Sequence, residues 1–303
     1  VTATPRQAEP LPGDIDSINH AGVAVRDLDR ASAEFERLGF TLTPLSLHSG
    51  ALEPGAPVRP YGSGNRCAVF RRSYLEVLAH VRTDLPDFFV RGFLARFEGA
   101  HIVCFGCADI QAPARRLDQN AVRNSGVIPL RRDVETLRAG EPRTETARFH
   151  VLHFERGGTP EGLIQATQHL DPHLIHQPRY RAHANGALDL AEVALAVRPG
   201  DVAATAQRYQ RYLGRPPAWS DDIATFTLPL GRLVIMPERQ ARLRYGQPPP
   251  ALPALVALGV AVADLDATAR LLANHAVTVR ETDTGLLTSA AGTTILFEPE
   301  RGA

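Results

Sequence analysis

Two histidines and two oxygen donors recur at matched places in the first half of the chain. His20 sits in the strand-like run Ile18-Asn19-His20-Ala21-Gly22-Val23-Ala24-Val25, and His101 in Ala100-His101-Ile102-Val103-Cys104-Phe105. Further along, each is followed by a short apolar segment with one oxygen donor: Glu76 within Tyr74 to His80, and Gln165 within Leu163 to His169. Two imidazoles, a carboxylate and an amide are the ingredients of a site for a divalent ion such as Zn, Ni, Co, Mn or Fe. Strand alternation puts His20, Gly22 and Ala24 on one face, where small neighbours leave room for a ligand. The same alternation groups Tyr74, Glu76, Leu78 and His80, and a half-buried carboxylate in so apolar a strand needs a partner that a metal would supply. Gln165 is a weak neutral donor that would bind the ion or orient a water or substrate. A divalent ion so held acts as a Lewis acid on a small molecule with neighbouring oxygens, stabilising an enediolate while Glu76 transfers the proton. The same His20, His101 and Glu76 would serve as a two-histidine, one-carboxylate triad for Fe(II) and dioxygen.

Around this set, His48, Asn65, Arg66 and Tyr74 are expected as substrate contacts, with Arg66 equally readable as a solvated strand residue. His80 and His169 stand four positions beyond Glu76 and Gln165 and read as outer partners of the ligands or as rim residues. Phe88, Phe89, Phe93 and Phe97 would wall the pocket or pack the crossover between repeats. Cys104 and Cys107 form a C-x-x-C without a second pair or a redox context, so a zinc or thiol role is not favoured.

The elements that must position these residues repeat four times. The first unit reads as a strand from Ser17 to Val25, a helix opened near Asp27 or Asp29 and closed by Gly39, and strands around Thr41 to Leu47, Asn65 to Phe70 and Ser73 to Val81. A second unit runs from Gly99 to about Leu170. A third opens at Leu190 to Val197, and the fourth, Gly259-Val260-Ala261-Val262-Ala263-Asp264-Leu265-Asp266, nearly reproduces Gly22 to Asp29. One such βαβββ unit leaves its sheet face bare, so units must pair. The expected division is a disordered tail over 1–14, an N-terminal domain over 15–175 carrying the metal site, and a C-terminal domain over 176–303 without metal. Where unit one has His20, units three and four have Glu192 and Ala257; Glu238 and Glu298 read as solvated. The second domain therefore reads as a structural or substrate-covering partner.

Composition bounds the partners. The 303 residues carry 33 basic and 33 acidic side chains, so nothing points to nucleic acid or an anionic membrane, and a small-molecule partner is expected. Three cysteines argue against a disulfide framework and for a reducing, cytoplasmic setting. No apolar run approaches a bilayer span. A monomer can satisfy all four sheet faces, and a homodimer is an alternative.

The repeated and paired βαβββ unit, an α+β fold, resembles the vicinal-oxygen-chelate superfamily of glyoxalase I, extradiol dioxygenases, methylmalonyl-CoA epimerase and bleomycin-resistance proteins. The resemblance runs from Ile15 to Glu298. Within it, His48, Gly64-Asn65-Arg66, Tyr74-Leu75-Glu76, Glu98-Gly99-Ala100-His101 and the connector from Gln168-His169 to His183-Ala184-Asn185-Gly186-Ala187 look most like the glyoxalase-like group. The resemblance implies metal ligands on the first and last strands of paired units, matching His20, Glu76, His101 and Gln165. It implies a lyase or isomerase of glyoxalase type. An Fe(II)-dependent extradiol-type dioxygenase and a non-catalytic small-molecule binder of the same fold are the alternatives, because this fold hosts several chemistries.

Overall fold

A computed structural model of the chain describes residues 14–50, 56–87, 89–138, 140–155 and 159–300. Most of the expected tail, and Phe88, lie outside the described residues. The first sheet takes β1 (Ser17–Ala24), β2 (Ser46–Gly50), β3 (Arg59–Val69), β4 (Tyr74–His80), β5 (Gly99–Gly106), β6 (Ile128–Arg138), β7 (Glu141–His153) and β8 (Leu163–His169). Their order is β2-β3-β4-β1-β5-β8-β7-β6, so the first strands of the two units pair at the centre and each is flanked by its own closing strand. The second sheet repeats that plan as β10-β11-β12-β9-β13-β16-β15-β14. Its strands are β9 (Ala187–Val197), β10 (Ala218–Ser220), β11 (Ile223–Thr227), β12 (Arg232–Pro237), β13 (Ala254–Val262), β14 (Arg280–Thr282), β15 (Gly285–Ala290) and β16 (Thr293–Pro299). Each sheet is two βαβββ modules joined edge to edge.

Seven α-helices among the described residues complete the fold: α1 (Leu28–Arg37), α2 (Val90–Arg96), α3 (Gln111–Gln119), α4 (Pro172–Ile175), α5 (Val202–Leu213), α6 (Glu238–Tyr245) and α7 (Leu265–Asn274). The Asp-Leu-Asp echo has a mechanical meaning. Asp27 caps α1 by accepting from the Arg30 amide at 2.9 Å, and Asp264 caps α7 by accepting from the Ala267 amide at 2.9 Å. Each cap satisfies an otherwise orphaned donor and contributes about 1 kcal/mol.

One apolar core serves both sheets. It joins Val23, Val103 and Phe35 from the first half to Val193, Val260 and Tyr209 from the second. Phe40 stacks on Phe297 at 5.8 Å and Phe154 packs on Tyr212 at 5.0 Å. Fully buried Glu161 accepts from the Tyr209 hydroxyl at 2.7 Å and pairs with Arg208 at 2.9 Å, pinning the first half to α5. One face of each sheet is thereby committed to the shared core, and the other is left to form a concave cup.

The two cups have different fates. The first curls until β6 meets β2: Arg132 on β6 donates from Nε to Ser46 Oγ at 2.8 Å and from Nη2 to Asn65 Oδ1 at 2.7 Å. The space so enclosed stays open. In the second cup, α6 packs back onto the sheet, and Ala241 and Tyr245 join Met236, Val234 and Leu296 in a separate apolar cluster. A buried ion network completes the filling: Arg232 pairs with Glu192 and Glu298, each at 2.6 Å, and Arg244 reaches Glu192 at 2.7 Å. Glu298, expected as solvated, is only 3 % exposed, because the guanidinium of Arg232 supplies in the interior what water would supply outside.

Candidate functional site in the first cup

The open cup is a cavity of about 600 Å³. Its walls are apolar, with Tyr61, Phe89, Phe93, Ile102, Leu130 and Phe149 among them, and its polar groups gather around the central strands. His20 comes from β1, Tyr74 and Glu76 from β4, His48 from β2, Gln165 and His169 from β8, His153 from β7 and Arg132 from β6. The Tyr74 ring stacks on His20 with centroids 4.4 Å apart, which fixes the imidazole plane. His20 Nδ1 lies 2.8 Å from Asn19 Oδ1, an acceptor, so this nitrogen carries the proton and Nε2 keeps its lone pair. Burial, only partly offset by Glu76, lowers the His20 pKa to about 4, so the ring is neutral at neutral pH.

Glu76 is the opposite case. Burial alone would push its carboxyl up, but the His48 hydrogen bond and the charges around it, with the amide of Asn65, bring it down to about 2. His48 Nε2 lies 3.4 Å from Glu76 Oε1, and its Nδ1 is anchored 2.9 Å from Ser63 Oγ. Asn65 donates to the same carboxylate oxygen while accepting from Arg132. A persistent anion and a neutral imidazole with a bare nitrogen therefore share one largely apolar cavity, and shifted titratable groups of this kind cluster at functional sites.

The four expected ligands do not meet. In the central pairing Ala21 faces Val103, His20 faces Cys104 and Gly22 faces Ile102. The local dyad through the Ala21–Val103 pair exchanges His20 with Ile102, one residue past the expected His101. Closing strands agree, since Glu76 pairs with Gly22 and Gln165 with Cys104. A β-bulge follows, in which the partner of Gly22 is Ile102 and that of Val23 is Ala100, so His101 is the extra residue. His101 is fully buried behind Phe93, its ring stacked on Phe93 at 5.0 Å and Phe97 at 4.1 Å, with Nε2 2.9 Å from the Phe97 carbonyl. The backbone of Gly162, the residue before β8, presses against it, and a Cβ there would come within 1.9 Å of the His101 backbone oxygen. Because side chains alternate, a one-residue slip sends a donor out of the site.

Ile102 fills the vacated place, and a Cβ on Gly22 would come within 2.9 Å of it. Of the four expected ligands, one imidazole, one carboxylate and one amide face the cup, with His48 already engaged by Glu76. Among the described residues no group of three or more His, Cys, Asp or Glu side chains could hold a metal ion. Gln165 bonds the Cys104 thiol, whose pKa burial pushes well up, consistent with a structural cysteine. The residues present do not fit a resident divalent ion.

Other expected contacts divide. His48 and Tyr74 line the cup. Asn65, 1 % exposed, lies beneath Glu76 and positions it. Arg66 points away: its Nε donates to the Thr43 carbonyl at 3.0 Å and its Nη2 pairs with Glu36 of α1 at 3.0 Å. Phe89 and Phe93 line the cup, while Phe97 packs on His101. His80 turns to the Leu85 carbonyl and to Arg91. Arg132 and His153 were not anticipated. Only the offset between the helix-opening Asp27 and Asp109 could have signalled Ile102, since both His20 and Ile102 stand seven residues before those aspartates.

The family profile described as "Glyoxalase-like domain" matches residues 18–213. The chain belongs to this family. The glyoxalase-like match spans the whole first cup and continues through α5, whose packing on the first half makes the two halves one body. Solved structures similar to this glyoxalase-like chain share the vicinal-oxygen-chelate fold at low identity. One is a hypothetical protein from Staphylococcus aureus (13 % identity, TM-score 0.60), covering 94 % of this chain and 100 % of that one. A mutant 4-hydroxymandelate synthase from Streptomyces coelicolor matches with 16 % identity and TM-score 0.55, over 96 % of this chain and 95 % of that one. A Mn(II)-bound glyoxalase from Novosphingobium aromaticivorans matches with 11 % identity and TM-score 0.51, over 95 % and 83 %. No curated protein matches the chain. Among the described residues, no helix is long and apolar enough to cross a membrane.

Proposed function

We propose that the first cup is the working site of a glyoxalase-like isomerase or lyase, acting on a partly apolar small molecule with neighbouring oxygens and needing no resident metal. The observation that carries this reading is the pairing of ionised Glu76 with neutral His20 in one largely apolar cavity. For a hydroxyl beside a carbonyl, the proton on the intervening carbon passes to His20 Nε2. The C–H electron pair becomes the carbon–carbon double bond of an enediolate, and the carbonyl pair moves to oxygen. Glu76, too acidic at about 2 to serve well as the base at neutral pH, offsets the imidazolium instead. Arg132 supplies positive charge for the developing oxyanion. Return of the proton to the former carbonyl carbon, with the hydroxyl proton shifting to the former carbonyl oxygen and the new carbonyl forming where the hydroxyl stood, completes an isomerisation.

The test is hydrogen exchange of 2-hydroxyacetophenone in D2O, followed by loss of its CH2 proton signal. Exchange above the buffer rate is expected, falling by at least about 100-fold in His20→Ala, the usual scale of a lost acid–base group. Glu76→Gln is expected to lower the rate while preserving the fold. Saturable binding without exchange would instead make the cup a binding module.

The donor set gives a separate expectation for metals. Protein equilibrated with Mn2+ or Zn2+ and then desalted should keep far less than stoichiometric ion by elemental analysis. Stoichiometric retention that disappears in His20→Ala would restore the metal-dependent lyase, or with iron the dioxygenase.

A further inference from the structure

A second cavity, about 510 Å³, adjoins the cup, and Thr167 and His169 line both. Its lining includes Arg71, Arg72 and Arg181 together with His173 and His176. Asp16 is the single carboxylate among its described lining residues, and it is occupied by the Ser17 hydroxyl at 2.7 Å. The counter-charges outside the wall are loose. Arg71 meets Glu300 at 2.9 Å with both side chains about half exposed, and Arg72 stands 3.6 Å from Asp189 with 58 % of its side chain exposed. Arg181 has no ion pair among the described residues. Exposed pairs of this kind are worth 1 kcal/mol or less, so an incoming anion displaces them readily.

The partition between the chambers is a row of rings. His20 stacks on Tyr74, Tyr74 lies 6.2 Å from His169, and His169 lies 6.0 Å from His176. His169 is the odd member: its buried Nδ1 has no hydrogen-bond partner. A buried polar nitrogen left unpaired costs stability, and His169 stands on the wall shared by two cavities, where an occupant would lie beside its ring.

We infer that this basic chamber is the subsite for an acidic group, carboxylate or phosphate, on the same small molecule whose oxygenated part lies in the cup. The inference rests on the function proposed above, and it narrows the substrate to an anionic one. Three guanidinium groups and an imidazole donor match an anion of several oxygens, and charge-assisted bonds of that type are the strong ones.

The first measurement is titration with inorganic phosphate, read from the imidazole NMR signals of His169 and His176. Saturable shifts are expected, weakened about tenfold or more in an Arg72→Ala, Arg181→Ala double variant, which alters only exposed side chains and should keep the wild-type circular dichroism. Signals that do not move, or move equally in the double variant, overturn the chamber. The second arm compares exchange of 2-hydroxyacetophenone with its 4-carboxy and 4-phosphonooxy derivatives. A kcat/KM at least about tenfold higher for one acid, abolished in the double variant, supports the subsite and tells carboxylate from phosphate. Exchange with no preference for either acid overturns it while leaving the proposed function standing. Phosphate binding without exchange of any ketone retains the anion site and removes that function.

Discussion

Replacing Arg232 by methionine should destabilise the protein by about 3–5 kcal/mol, the cost of leaving buried charges without their partner. Arg232 is 7 % exposed and stands between Glu192 and Glu298, which are 0 % and 3 % exposed. Its Nη1 and Nη2 donate to Glu298 at 2.7 and 2.6 Å, and its Nε donates to Glu192 at 2.7 Å. Glu192 would keep Arg244 and the Tyr245 hydroxyl, the latter at 2.5 Å, but Glu298 would keep no cation in this network. Against a typical total of about 5–15 kcal/mol, the loss should move the urea midpoint far down. Replacing Arg232, Glu192 and Glu298 together by apolar residues of similar size should cost much less than the single change, because no charge remains buried. A single variant within 1 kcal/mol of the parent would mean that water reaches the second cup. Since the second sheet shares the main core with the first, unfolding of the second half should be accompanied by loss of the first half's structure.

Acidification should destabilise the first half steeply between about pH 6 and 4. Burial lowers the imidazole pKa of His20 and His101 to about 4 and that of His169 to about 3, against an ordinary value of 6.5. As pH falls below 6.5 the unfolded chain takes up these protons first, so the stability present above that point is lost as pH falls towards the folded values. Each such proton contributes about 1.4 kcal/mol per pH unit, so three together give roughly 4 kcal/mol per unit. Glu76 adds the same sign lower down: held to about 2 when folded, against 4.5, its contribution is present above 4.5 and disappears as pH falls towards 2. Melting temperatures by circular dichroism at pH 7.5, 6, 5 and 4.5 would read the slope. His101→Gln, which keeps a donor near the Phe97 carbonyl but cannot titrate, should flatten the profile by about one proton. A level profile from pH 7 to 4.5 would show that water already reaches these rings.

The four-unit architecture, the pairing of units and the family were legible in the chain itself, and the reason is local. Alternating apolar residues, the capping Asp27 and Asp264, and the glycine after α1 act within a few residues of themselves, so their meaning does not depend on the rest of the fold. Glu76 and Gln165 were placed as counterparts for the same reason, since each is the third residue of its closing strand. His20 and Glu76 faced the cup as alternation required. The third ligand was decided elsewhere. Whether His101 or Ile102 faces the cup depends on the pairing of Ala21 with Val103 and on a bulge that removes His101 from the ladder. Register between strands eighty residues apart is a tertiary property, and a step of one reverses every side chain. The closure of the first cup by Arg132, the plugging of the second by α6 and the burial of Glu298 also required segments distant in sequence to meet. Short-range periodicity therefore specified the modules and two of the site residues. Long-range register and packing determined which cup stays open and which of the expected side chains face it.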